Sequence, residues 1–185
     1  MSPDLTFFAD ASVDPKTQKS GWGFWMKGDS RSAIYAGGPL KLFTPNTSIA
    51  ELEAIANGLW FADAQGYFVA TDRMMMIQSD NTEALGCIKK ARPSIVERKH
   101  ADGAHVPRRN KALLPRQTNA VETILAIADR HGLVITLRHV KGHKGGGGRN
   151  WVNRLCDRLA NEGRKKPHPQ AVAAIFPTSA EFLNS

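Results

Sequence analysis

The sequence predicts an α/β fold in which a five-stranded mixed sheet carries helices on its faces, in the order βββαβααβα. Three observations predict it. Three short β-rich segments joined by turns fill the N-terminal region, as in an antiparallel meander. A continuous apolar run, Met74-Met75-Met76-Ile77-Gln78, has the character of a strand buried on both faces. Between and after these, apolar residues recur at helical spacing.

Residues 5–9 read as a strand whose last position hands over to a carboxylate, Asp10. Residues 12–20 are polar and contain a proline, the composition of a loop. Residues 21–27 (GWGFWMK) and 33–37 (AIYAG) are the second and third strands, joined through Gly28-Asp29-Ser30. Residues 48–66 are helical, with Ser48 as N-cap and Glu51 three positions later, the pattern of a capping box. The run at 74–78 leads to a second strand-end carboxylate, Asp80, and residues 81–91 form a helix. Residues 92–117 are polar, basic and proline-containing, an excursion. Residues 119–131 make an amphipathic helix ended by Gly132, and residues 134–140 alternate as a strand. Gly145 to Gly148 form a loop, and residues 150–162 form a last helix capped by Gly163.

The 185 residues suit one domain over 1–163 and a tail over 164–185. The tail holds Lys165, Lys166 and three prolines and is expected to be poorly ordered, although residues 173–176 are apolar enough to dock back. Hydrophobic residues make up 42% and charged residues 23%, a globular balance. Twenty-five Lys and Arg against 17 acidic residues leave a net charge of +8, which favours a polyanionic partner. Two distant cysteines, Cys87 and Cys156, make no disulfide framework and suggest a reducing compartment. The N-terminus lacks a signal-peptide pattern, and no apolar run is long enough for a membrane span. A soluble, cytoplasmic monomer is the expectation.

Four carboxylates stand out by position. Asp10 and Asp80 meet at one end of the sheet if their strands are neighbours. On the first helix, Leu52, Ile55, Leu59 and Ala62 form an apolar stripe with Glu51 at its edge and Glu53 opposite, facing water. A capping box explains Glu51 equally well, so periodicity leaves its role open. On the last helix Asp157 falls opposite the stripe of Val152, Leu155, Cys156 and Leu159, which by itself reads as a solvated charge. Converging carboxylates repel and raise one another's pKa values, and a divalent cation relieves that. Oxygen-only ligands suit Mg²⁺ or Mn²⁺, and two such ions can cleave a phosphodiester.

The motifs and their order resemble the type I ribonuclease H family over about residues 4–163. The resemblance rests on Phe8-Ala9-Asp10-Ala11-Ser12, Ala50-Glu51-Leu52, Gln78-Ser79-Asp80-Asn81, Val140-Lys141-Gly142-His143 and Asn153-Arg154-Leu155-Cys156-Asp157. It implies a ribonuclease H-like fold and an endonuclease that hydrolyses the RNA strand of RNA–DNA hybrids. It implies that Asp10, Glu51, Asp80 and Asp157 bind two Mg²⁺ ions, with Mn²⁺ as a substitute and no small-molecule cofactor. It further implies that His143 assists the attacking water or product departure. Ala11, Ser12, Thr47, Ser48, Asn81 and Asn153 stand where the family contacts its substrate. The chain departs from the pattern at Ala11, at Val13 to Lys19, at the glycine loop and at Arg154, and none of these removes a metal ligand.

The basic run of Lys89, Lys90, Arg92, Arg98, Lys99, Arg108, Arg109, Lys111 and Arg116 reads either as phosphate contacts or as a solvated loop. His139, His143 and Cys156 lack the paired thiolates of a zinc site. Trp22, Trp25 and Trp60 are expected in the core. The rival readings are a non-catalytic nucleic-acid-binding module on the same fold and another nuclease of the superfamily, a junction resolvase or a DNA exonuclease.

Overall fold

The computed structural model describes residues 3–41, 46–97, 112–140 and 150–166. The elements are β1 (Leu5–Val13), β2 (Ser20–Gly28), β3 (Ile34–Pro39), α1 (Thr47–Ala64), β4 (Met74–Ser79), α2 (Thr82–Ala91), β5 (Val96–Glu97), α3 (Pro115–Arg130), β6 (Val134–His139) and α4 (Asn150–Lys165). They build one mixed sheet in the order β3-β2-β1-β4-β6-β5. The meander β1–β2–β3 is antiparallel, while β1, β4, β6 and β5 run parallel. The sheet therefore has six strands rather than five. The extra strand is two residues long, pairing with Thr136 and Leu137 at the edge of β6. Two residues carry no periodicity, so only that neighbouring edge makes them a strand.

Alternation along β1 divides the sheet into two faces. Leu5, Phe7 and Ala9 are buried with Leu52, Ile55 and Leu59 of α1 in the main core. Phe8 points the other way and is buried with Val152 and Cys156 of α4. Asp10 shares the parity of Phe8, so it projects on the α4 side. β1 continues past Asp10 to Val13 because β2 pairs with it down to Val13↔Ser20. The loop expected over 12–20 is thus confined to residues 14–19, with Ser12, Val13 and Ser20 in the paired strands, and Asp10 lies inside a strand rather than at its end.

Helix α4 packs across β1, β2 and β3 at unusually close range, and glycine makes that possible. A Cβ on Gly23 would strike the Cys156 carbonyl and the Leu159 side chain, and one on Gly163 would strike Gly38. Gly163 accordingly sits inside α4, where the close approach requires it, and does not cap the helix. Helix α1 lies between the sheet and α3, with every residue from 48 to 59 buried. A helix covered on both sides has no solvent face near its start. Glu53 is consequently not turned to water: it is 5% exposed and takes a two-pronged ion pair from Arg116 of α3 at 2.8 Å. Helix α3 begins at Pro115 rather than at residue 119, with the Gln117 carboxamide accepting from the Leu114 N–H at 3.0 Å. Trp25 is buried and Trp22 packs on the core, but Trp60 is 36% exposed on the outer side of α1. Among the described residues no helix is long and apolar enough to cross a membrane.

Candidate active site

Strand register brings the first two carboxylates together. The parallel ladder between β1 and β4 runs Leu5↔Met75 through Phe8↔Gln78. Two residues further along stand Asp10, still within β1, and Asp80, one residue past the end of β4, with their carboxylates close together. Asp10 stays opposite Gly23 of β2, whose missing side chain lets α4 close over the strand pair there.

The third carboxylate comes from α1. Its N-cap is Asn46, whose side-chain oxygen accepts from the backbone N–H of Ser48 at 3.0 Å and of Ile49 at 3.2 Å. Asn46 competes better than Ser48 for this position because it reaches both free N–H groups. Ser48 is therefore the second helical residue, and the capping-box account of Glu51 falls away. Glu51 instead projects from the buried first turns towards Asp10 and Asp80. Ligand oxygens of Asp10, Glu51 and Asp80 all lie within 4.8 Å of one another. Glu51 is 7% exposed, and its Oε2 is buried with no hydrogen-bond partner.

The electrostatics follow from this crowding. Burial, then the negative charge of Asp80, pushes the Asp10 carboxyl up to about 7. Burial, then the charge of Asp10, pushes Glu51 well above the usual carboxylate range, opposed in part by the backbone N–H of Ala11. Without a counter-charge the pocket holds protons. A set of oxygen-only donors, one with an orphaned buried oxygen, fits a hard divalent cation.

Asp157 approaches from α4. It bears on Asp10 electrostatically, though it stands outside the 4.8 Å group. Its carboxylate Oδ1 accepts from the Asn161 side-chain amide at 2.9 Å, and that amide also donates to the Asp157 carbonyl at 3.0 Å. The Asn161 carbonyl oxygen in turn accepts from Ser12 Oγ at 2.8 Å. Asn161 escapes a reading of the sequence, although its place one helical turn after Asp157 is visible there. His139 is a second such residue: its Nε2 lies 3.1 Å from the Asp80 carbonyl and tethers the end of β4.

The remaining expected site residues are placed as follows. Ala11 supplies the backbone N–H just described, and Ser12 is committed to Asn161. Thr47 is exposed at the start of α1, while Ser48 is buried with its Oγ donating to Asn46 at 2.8 Å. Asn81 caps α2 by accepting from the Ala84 N–H at 2.9 Å, and Asn153 is half-buried one turn before Asp157. His143, the glycine loop and the tail from residue 167 lie outside the described residues.

The basic run is partly accounted for by internal ion pairs. Lys89 holds Glu97 at 2.7 Å, Arg92 holds Asp129 at 2.6 Å, and Arg116 holds Glu53. Arg98, Lys99, Arg108, Arg109 and Lys111 lie outside the described residues. The thiol of Cys156 faces the Phe8 carbonyl at 3.8 Å and burial pushes its pKa up, so it is no thiolate ligand.

A family model described as RNase H matches residues 2–165. Among solved structures, the chain is similar to the N-terminal RNase H domain of a Mycobacterium tuberculosis protein, solved as a fusion with maltose-binding protein. That match has 16% identity and a TM-score of 0.60, and covers 88% of this chain and 94% of that one. RNase H1 from the halophilic archaeon Halobacterium salinarum matches at 14% identity and a TM-score of 0.53, covering 86% and 96%. LC11-RNase H1, solved in complex with an RNA/DNA hybrid, matches at 15% identity and a TM-score of 0.56, covering 85% and 94%. A comparison with curated proteins gave no significant match.

Proposed function

The chain belongs to the RNase H family, and from that premise we propose that it is an endoribonuclease that hydrolyses the RNA strand of RNA–DNA hybrids. The observation that carries the reading is the convergence of Asp10, Glu51 and Asp80 within 4.8 Å, with Glu51 Oε2 buried and unpartnered.

Asp10, Glu51, Asp80 and Asp157 would hold two Mg²⁺ ions, with Mn²⁺ as an alternative. When bound, such ions lower the pKa of water and stabilise the leaving oxygen of an in-line displacement. The chain's own residues prepare that chemistry. The Ala11 N–H fixes one side of Glu51, and Asn161 fixes the rotamer of Asp157. His139 anchors the backbone of Asp80. His143 would assist the attacking water or product departure.

A hybrid presents a shallow minor groove lined by 2′-hydroxyls, which a few polar groups can sense without reading sequence. Thr47 and Asn81 at the starts of α1 and α2, with the backbone near Ala11 and with Asn153, flank the carboxylates and suit that task. Ser12 and Ser48 would contribute through position and backbone, because their hydroxyls are engaged within the fold.

The test incubates the protein with a labelled RNA–DNA duplex, with and without Mg²⁺, beside RNA–RNA and DNA–DNA controls and an Asp10→Asn variant. Metal-dependent cutting of the hybrid's RNA strand alone, lost in the variant, is expected. Binding without cutting in Mg²⁺ or Mn²⁺ would favour a binding module, and cutting of DNA would place the chain with another nuclease class.

A further inference from the structure

A groove of about 440 Å³ opens on the α4 side of the sheet, outside the carboxylate cluster. Register explains its floor. Trp25 of β2 pairs with Phe8 of β1, Phe8 with Gln78 of β4, and Gln78 with Arg138 of β6. Paired residues share a face, so an indole, a phenyl ring, a carboxamide and a guanidinium stand in one row across four strands. All four line the groove. Trp151, at the start of α4, completes it: its ring meets Trp25 edge-on at 5.7 Å and remains 50% exposed. Lys27 adds a second cation, against one acidic lining residue, Asp29.

Asp10 stands on the same face of β1 two residues beyond Phe8, and Asp80, just past the end of β4, lies beside it. The groove therefore begins one side-chain repeat, about 6.6 Å, from the carboxylates. One half-exposed indole, Trp151, combined with cations suits a nucleobase and its phosphate better than an apolar peptide. Stacking and phosphate contact need no base sequence.

We propose that this groove binds an unpaired nucleotide flanking the hybrid, its base against Trp151 and its phosphate towards Arg138 and Lys27. The inference rests on the hybrid substrate proposed above and adds a second, single-stranded subsite to it. A hybrid carrying a single-stranded extension is then a better ligand than a blunt one.

The experiment measures fluorescence anisotropy of labelled hybrids without divalent metal. The duplexes are blunt or carry a short RNA or DNA extension at one end or the other. At least one extended duplex is expected to bind on the order of tenfold more tightly than the blunt one, the worth of about one stacked base. Trp151→Ala should remove that advantage and Lys27→Gln should reduce it, with blunt-duplex affinity unchanged. Both side chains are exposed enough for the variants to fold, and matching Tm values check this. Equal affinity for blunt and extended duplexes overturns the inference, as does an advantage that survives both substitutions. Cleavage of the blunt hybrid in Mg²⁺, read separately, reports on the catalytic reading, so either can fail alone.

Discussion

The Asn161 amide donates to the Asp157 carboxylate at 2.9 Å, one turn apart on α4, and Ser12 of β1 holds the far side of the same amide at 2.8 Å. A carboxylate fixed in this way faces Asp10 without having to search rotamers. Groups that orient metal-site carboxylates typically matter by about 10–100-fold in activity or metal affinity. Asn161→Ala is expected to lower kcat by about tenfold with KM for the hybrid little changed. Asn161→Asp should lower it further through like-charge repulsion. Steady-state kinetics on both variants check this, and a loss confined to KM would contradict it.

The carboxylate cluster should make the metal-free protein less stable as pH rises. Asp10 titrates at about 7 in the folded chain, above the ordinary value of 3.8. A carboxyl raised by folding contributes stability that is complete below pH 4 and is lost as pH climbs through about 7. At about 1.4 kcal/mol per unit, a rise of roughly three units makes the loss on the order of 4 kcal/mol by pH 8. Asp10→Asn without metal should therefore unfold at a higher temperature than the parent at pH 8 and at nearly the same temperature at pH 4. Thermal melts in a chelator decide it.

The same proton competes with metal. Below pH 7 a bound Mg²⁺ must displace it, so apparent affinity should fall by up to about tenfold per pH unit. Titration calorimetry at pH 6.5 in two buffers of different ionisation heat should show about one proton released per binding event. Identical heats in the two buffers would exclude this coupling.

The ion pair between Glu53 and Arg116 ties α1 to α3 beneath the site. Glu53 is buried and its carboxyl is raised by that burial, with Arg116 opposing the rise. Arg116→Met would strand the charge and cost about 3 kcal/mol near pH 7. The cost should shrink towards pH 4, where Glu53 gains a proton. Pairing it with Glu53→Gln should recover much of the loss, as urea melts of the single and double variants would show.

Gly23→Ala tests the seating of α4. A methyl there meets the Cys156 carbonyl, so the helix must shift and carry Asp157 with it. Destabilisation of about 2 kcal/mol is expected despite alanine's lower backbone entropy, with activity falling further than stability alone explains. Measuring residual activity well below Tm separates the two effects.

Motif order and hydrophobic period made the element order, the doubly buried run of β4 and the candidate carboxylates Asp10, Glu51 and Asp80 legible in the sequence. These are local properties: a strand buried on both faces reads as continuously apolar, and a helix repeats its apolar residues every three to four positions. What the sequence could not decide was which neighbour each element meets. Glu53 reads as solvent-facing until α3 covers it, and Ser48 reads as a cap until Asn46 takes both N–H groups. Val96–Glu97 becomes a strand only against β6. Asp157 reads as a surface charge by periodicity, yet it bears on Asp10 because glycines at 23 and 163 let α4 press onto β2 and β3. Burial, and with it the raised pKa of Asp10 and the ion pair of Glu53, is a property of contacts distant in sequence, and only tertiary packing sets those.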